Sequence, residues 1–235
     1  MQISIISLFD KSFFASLFEN GIIKSAIEKG IININYINIR DFSNYKHKKV
    51  DDSPFGGGPG MLLMPSPTIE AIRSVKKKDD YTVYLSPQGN LLNSSICKRL
   101  SKENHLILLC GHYEGVDERV IQKEVHEEIS IGDYVLTNGG IAAIALIDST
   151  IRFIPKVIGN SDSVKEDSFE NYLFKGPQYT KPDSFENMKV PDVLKGGNHK
   201  EIMEWRFNEG LKKTERVRPD LYQKYIKKEL KNVKC

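Results

Sequence analysis

Residues 106–140, LILLCGHYEGVDERVIQKEVHEEISIGDYVLTNGG, decide the fold. Two apolar runs, Leu106–Leu109 and Tyr134–Leu136, each read as a strand that leads into a glycine-bearing loop. Between them lies a charged stretch that opens with His112, Glu114, Asp117, Glu118 and Arg119. Glycine has no Cβ, so backbone can approach a ligand closely there. Two such loops at strand ends suit a small-molecule site in an α/β domain. The chain contains neither G-x-G-x-x-G nor G-x-x-x-x-G-K-S/T, so the ordinary dinucleotide and P-loop cradles are excluded.

Outward from this stretch, apolar runs alternate with amphipathic ones. Ile3–Ser7 reads as a buried strand, and Asp10 or Ser12 can cap a helix over Phe13–Asn20. Ile31–Ile39 alternates Ile and Tyr with Asn, the pattern of a half-buried strand. Pro67–Val75 reads as a helix with Pro67 near its first turn, Tyr81–Leu85 as a strand, and Ser94–Lys102 as a helix. Ile141–Phe153 is apolar nearly all round, which predicts a buried helix. Strands alternating with helices imply a mostly parallel sheet with helices on both faces, over roughly residues 1–158. Residues 159–189 turn polar without a clear period and read as a flexible interdomain linker. Asn198–Lys213 and Leu221–Leu230 then fit two helices of a small C-terminal domain, residues 190–235.

Composition narrows the function classes. The chain has 235 residues, 40% hydrophobic and 28% charged, the balance of a soluble globular protein. No apolar run is long enough to span a bilayer. The N-terminus, MQISIISLFDKSFF, lacks the basic start and cleavage site of a signal peptide, so a cytoplasmic location is expected. Three cysteines without a C-x-x-C pair argue against a disulfide frame or a zinc site. The net charge of +3 does not by itself call for nucleic acid. Positive charge is clustered at Lys46–Lys49, Arg73–Lys78, Lys212–Arg218 and Lys227–Lys234, and local patches are what neutralise phosphates. Charge alone still favours solvated lysines in a Lys-rich chain.

Five segments can carry chemistry. Pro54–Gly60, PFGGGPG, is a loop that lets backbone pass close to something. Ser86-Pro87-Gln88-Gly89 follows the strand Tyr81–Leu85, where α/β ligands sit. Gly111 and Gly139-Gly140 supply the next two turns, with backbone N–H groups available to a ligand. Singly each is an ordinary turn, but strand ends of one sheet converge on one edge. The fifth segment is Lys165–Phe169, with Arg152 at the end of the apolar helix. A carboxylate there can act as a general base and the arginine can neutralise developing negative charge. From residue types alone, a solvated acidic loop is the better reading of that segment.

Together these segments closely resemble bacterial tRNA (guanine-N1) methyltransferases. The matching text is RDF at Arg40–Phe42, VDDSPFGGGPGML at Val50–Leu62, YLSPQG at Tyr84–Gly89 and CGHYEGVDERV at Cys110–Val120. It continues with SIGDYVL at Ser130–Leu136, LIDSTIRFIP at Leu146–Pro155, EDSF at Glu166–Phe169 and GNHKEI at Gly197–Ile202. Eight blocks agree in order over nearly the whole chain.

The resemblance implies a trefoil-knotted, mostly parallel α/β fold whose knotted loops bind S-adenosylmethionine. It implies cofactor contacts from Tyr84, Leu85, Ser86, Pro87, Gln88, Gly111, Glu114 and Gly139, and from Ile131, Gly132, Asp133, Tyr134, Val135 and Leu136. It implies Asp167 as the base that removes the guanine N1 proton and Arg152 as the stabiliser of charge building on O6. A magnesium ion near Glu114, Glu166 and Asp167 follows from the same source. So do a homodimer with composite active sites, a tRNA substrate gripped by the C-terminal helices, and methylation of the guanine at position 37, just 3′ of the anticodon. Three features depart from the family pattern. His112 stands where arginine is more frequent, Asn138 replaces the first glycine of a pair, and the C-terminus stops early, which predicts reduced last helices. Two alternatives remain at this stage: a knotted methyltransferase acting on another RNA, and a non-catalytic RNA-binding relative.

Overall fold

The sequence of β6 (His105–Cys110), HLILLC, is buried at every position, as a strand in the middle of a two-faced sheet must be. Its side chains alternate between two cores. Leu106, Leu108 and Cys110 join one apolar cluster, while Ile107 and Leu109 join the other. A computed structural model describes residues 1–159 and 167–232. The chain divides into two compact units, Met1–Gly159 and Asn160–Cys235.

In the first unit β6 lies between β1 (Gln2–Ser7) and β5 (Tyr81–Leu91). β2 (Asn33–Asn38) flanks β1 on one edge, and β7 (Glu127–Ser130) flanks β5 on the other. All four pairings are parallel, giving the order β2-β1-β6-β5-β7. Helices α1 (Lys11–Phe18), α2 (Gly21–Glu28), α4 (Ser94–Leu100) and α6 (Gly139–Ile151) contribute to the Leu106–Leu108 core. On the opposite face α3 (Pro65–Arg73) and α5 (Glu118–Glu124) close the smaller core around Ile107 and Leu109. Each fully buried Leu or Ile contributes roughly 1.5–3 kcal/mol of transfer free energy, and the sheet is held chiefly by these two layers.

Local chemistry sets the ends of the elements. Asp10 caps α1 through its side chain, which accepts from the Ser12 amide at 2.9 Å. Pro65, two residues ahead of the proline expected to open the helix, occupies the first turn of α3, where its missing N–H costs nothing. α6 begins two residues before its expected start and buries Ala142, Ala143, Leu146, Ile147 and Ile151. It is not buried on every side, since Ile141 is 44% exposed.

One strand differs from expectation. Tyr134–Leu136 is a loop, with Val135 exposed, and the last strand is the more polar Glu127–Ser130. A sheet edge tolerates that polarity because Glu127 accepts from the Tyr81 hydroxyl at 3.2 Å and pairs with Arg99. Between α2 and α3, β3 (Asp51–Asp52) and β4 (Leu62–Leu63) form a short antiparallel ladder that frames the loop Pro54–Gly60. The ladder is tied to residues 114–117 by the Leu63 amide on Gly115 O at 3.0 Å and the Asp117 amide on Leu63 O at 3.1 Å.

The second unit contains an antiparallel pair, β8 (Ser184–Phe185) and β9 (Met188–Lys189), and the helices α7 (His199–Val217) and α8 (Pro219–Asn232). Asn198 caps α7 by accepting from the Lys200 amide at 3.2 Å. Residues 173–176 lie along α7. The Phe174 amide donates to Thr214 Oγ1 at 2.7 Å, and a Cβ on Gly210 would stand 2.4 Å from Phe174 O. No helix among the described residues is long and apolar enough to cross a membrane.

Candidate active site

The carboxyl ends of β5, β6 and β7 open onto one cavity of about 460 Å³. Parallel strands aim their last residues at one edge of the sheet, which is why segments distant in sequence meet there. β5 supplies Tyr84–Gln88, β6 leads into Gly111–Val116, and β7 leads into Ile131–Asn138. The cavity falls within the size range of small-molecule sites, roughly 300–1,000 Å³.

The β5 contribution depends on a break in register. Val83, Tyr84 and Leu85 pair with β7, then residues 86–89 leave the ladder before Asn90 and Leu91 rejoin it. The excursion covers the cavity with Ser86, Pro87 and Gln88. Gly89 sits so close to β7 that a Cβ would stand 2.4 Å from the carbonyl carbon of Glu128.

Helix α6 starts directly against the end of β6. The Gly139 amide donates to Gly111 O at 2.8 Å, and a Cβ on Gly139 would lie 2.7 Å from the Gly111 nitrogen. Asn138, the departure from the glycine pair, is extended at φ −164° and caps the helix by accepting from the Gly140 amide at 2.9 Å. The turn therefore needs no left-handed residue at 138, and the asparagine supplies an acceptor for an otherwise orphan amide.

Two titratable groups in the wall are held neutral. Burial pushes the Tyr84 phenol up to about 12, with Glu128 adding to the rise. Burial, helped by the nearby Arg40 charge, lowers His112 to about 4. The Leu8 amide donates to His112 Nε2 at 3.4 Å, which leaves the ring proton of the neutral imidazole on Nδ1. Ser7 Oγ lies 3.3 Å from the same Nε2, and the Phe9 ring packs edge-on at 4.9 Å. His112 is thus positioned by neutral contacts, as an arginine there would not be. Cys110, beneath the floor, is fully buried with its thiol pushed up to about 12, and it is not a nucleophile.

All the residues expected at the cofactor line this cavity except Asp133. Residues not expected there also line it, among them His112, Val116, Glu128, Ile129 and Asn138. For Glu128 and Ile129 the signal was the strand Glu127–Ser130, hidden by its polar residues. Glu114 lines the cavity under the glycine loop, where a Cβ on Gly60 would meet its Cγ at 2.3 Å. Arg152 is the C-cap of α6, and the helix carries it about 20 Å from Gly139. Asp167 belongs to the second unit and lines a different cavity there.

Glu166 lies outside the described residues. Among the described residues no group of three His, Cys, Asp or Glu side chains gathers to hold a metal ion. Magnesium usually keeps several waters and takes only one or two protein carboxylates, and of the expected set Glu114 is the described residue that lines this cavity. The methyl donor fits better. Adenine and ribose can be read by backbone groups of three turns, and the apolar wall of Leu85, Ile129, Leu136 and Ala142 suits the rest.

Comparison with known proteins agrees with this geometry. Residues 1–224 match the family described as tRNA (Guanine-1)-methyltransferase TrmD. A tRNA (guanine-N(1)-)-methyltransferase of Chlamydia pneumoniae is 53% identical over 228 residues, 97% of this chain and 63% of the relative. The protein of that name from Protochlamydia amoebophila is 52% identical, covering 94% of this chain and 99% of its own length. That from Dictyoglomus turgidum is 50% identical over 95% of this chain and 91% of its own. This chain thus spans under two thirds of the first relative and nearly all of the other two. The chain belongs to the tRNA (guanine-1)-methyltransferase family.

Proposed function

We propose that this chain transfers a methyl group from S-adenosylmethionine to N1 of the guanine immediately 3′ of the anticodon in tRNA, in the cytoplasm. The observation that carries the reading is the convergence of three strand-end turns on one cavity in a chain of this family. When bound, S-adenosylmethionine supplies an electrophilic methyl group. The Tyr84–Gln88, Gly111 and Ile131–Leu136 segments hold it and keep water out, and Gly139 lets α6 approach closely enough to close the wall.

Guanine N1 carries a proton and becomes a nucleophile only as that proton leaves. Asp167 is the base in this proposal, and Arg152 offsets the negative charge that collects on O6. No step is routed through a metal ion.

Two structural proposals accompany the chemistry. Arg152 stands at the far end of α6 from its own chain's cavity, which supports a homodimer in which each cavity is completed by the partner's arginine. Exposed Tyr134, Val135 and Ile141 beside the cavity support an apolar contact at that place. The close crossing of Gly139 over Gly111 is compatible with a chain threaded as a trefoil knot. The test of the activity is nucleoside mass spectrometry on tRNA incubated with the protein and S-adenosylmethionine. N1-methylguanine at the position beside the anticodon is expected, and folded protein that leaves tRNA unmodified would defeat the reading.

A further inference from the structure

The second unit holds a cavity of about 450 Å³ that the methyl-donor site does not use. One wall is the segment from Asp167 to Gly176, and the other is formed by α7 and α8. The arrangement is anchored from below. Thr214 is fully buried, receives the Phe174 amide and itself donates to Gly210 O at 2.7 Å. Lys228 of α8 donates to Asn171 Oδ1 at 2.9 Å, tying the two walls together.

The lining has the chemistry of a nucleotide site. Phe174, Phe207 and Tyr225 contribute aromatic surface, and Phe207 packs edge-on to Tyr225 at 6.3 Å. Phe207 remains 47% exposed, on a helix that could have buried it. Lys175, Arg206 and Lys228 supply cations to the same lining, interspersed with the carboxylates of Asp167, Glu170 and Glu229. Unpaired RNA bases are bound by aromatic stacking, and each stack is worth roughly 1–3 kcal/mol. The carboxylate of Asp167 lines the same cavity.

We propose that this cavity receives one unpaired nucleotide of the tRNA next to the guanine to be methylated, its base stacked on Phe207 and Tyr225 and its phosphate on Arg206 or Lys228. The proposal rests on the activity proposed above. Because Asp167 lines the cavity, the bound nucleotide must be a close neighbour of the reacting one. Phe207 is a positioning residue in this scheme.

The experiment uses the full chain with whole tRNA. Replacing Phe207 with a photoreactive phenylalanine and irradiating the complex should crosslink to one anticodon-loop nucleotide adjoining the target guanine. Phe207→Leu keeps the apolar cover but removes the aromatic face. It should raise the KM for tRNA about tenfold, the equivalent of a lost base stack, with the affinity for S-adenosylmethionine unchanged. Phe207→Trp should restore the wild-type KM. A crosslink confined to stem nucleotides, or a Phe207→Leu enzyme with wild-type KM for tRNA, would overturn the proposal while leaving the methyltransferase reading intact. A photoreactive variant that crosslinks to the loop, alongside wild-type protein that never methylates, would instead sink the activity and leave the RNA-binding cavity standing.

Discussion

His105 Nδ1 lies 2.7 Å from Asp80 Oδ2, and the same imidazole reaches Ser4 Oγ from Nε2 at 2.8 Å. The three side chains are almost completely buried at the amino-terminal side of the sheet, away from the cavity. Ser, His and Asp in such a chain invite a hydrolase reading, but Ser4 has no exposed surface and no substrate can reach it. Asp80 also accepts the Lys77 amide at 2.7 Å, so the cluster stitches the entry of β5 to β6 and β1. Replacing Asp80 with alanine leaves the buried His105 ring nitrogen and the partly buried Lys77 amide without this acceptor. A loss of about 1–3 kcal/mol is expected, seen as a fall of several degrees in Tm, with affinity for S-adenosylmethionine unchanged by calorimetry.

Gly139→Ala probes the other end of the same strand. The added methyl would meet the Gly111 backbone, which cannot rotate away as a side chain could. The wall of the cavity must shift, so binding of S-adenosylmethionine should weaken tenfold or more by titration calorimetry. Circular dichroism should remain that of a folded protein. Unchanged affinity would show that α6 does not shape the site.

Asp167→Asn separates binding from transfer. Its affinities for S-adenosylmethionine and tRNA should stay near wild type, while single-turnover methyl transfer falls roughly 10²–10⁴-fold, the range of a lost general base. Near-normal turnover by this variant would remove Asp167 from the mechanism.

The composite site has its own test. Co-expressing differently tagged Arg152→Ala and Gly139→Ala chains yields mixed dimers. If Arg152 serves the partner's cavity, each mixed dimer holds one intact site, and at a methyl-donor concentration too low for Gly139→Ala the activity rises above that of both parents. If Arg152 serves its own chain, the mixed dimers are as inactive as the parents.

His112 sets an acid limit. Its folded value is about 4, below the ordinary 6.5, because burial and Arg40 oppose the imidazolium. Unfolded chain therefore binds a proton first as pH falls, and the stability held by neutral His112 is lost between pH 6.5 and 4. Allowing for solvent at the cavity mouth, the loss is about 1–2 kcal/mol. His112→Gln should flatten the pH dependence of urea unfolding over that window.

The sequence announced β6 through an unbroken apolar run and α1 through an aspartate at its cap, because burial and capping write directly into residue type. β7 was not legible for the same physical reason. It is an edge strand whose Glu127 is satisfied by Tyr81 and Arg99, partners distant in sequence. The apolar Tyr134–Leu136 run, which reads as that strand, is instead cavity lining with Tyr134 and Val135 in solvent. The cofactor loops were recognisable as a set because strand ends converge, whereas His112 required knowing that Ser7, Leu8 and Phe9 lie beside it.

The place of β6 between β1 and β5 has a consequence for biosynthesis. Both hydrogen-bonding neighbours of β5 are translated after it, and β1 must wait some hundred residues for its second. On the ribosome, at about 5–20 residues per second, the nascent chain carries open sheet edges until His105–Cys110 emerges. Then one short segment joins β1 to β5 and enters both cores at once, which α5 and α6 complete later. A pause in translation just before codon 105 should expose those edges to aggregation or chaperones, while a pause after codon 159 should be harmless to the first unit.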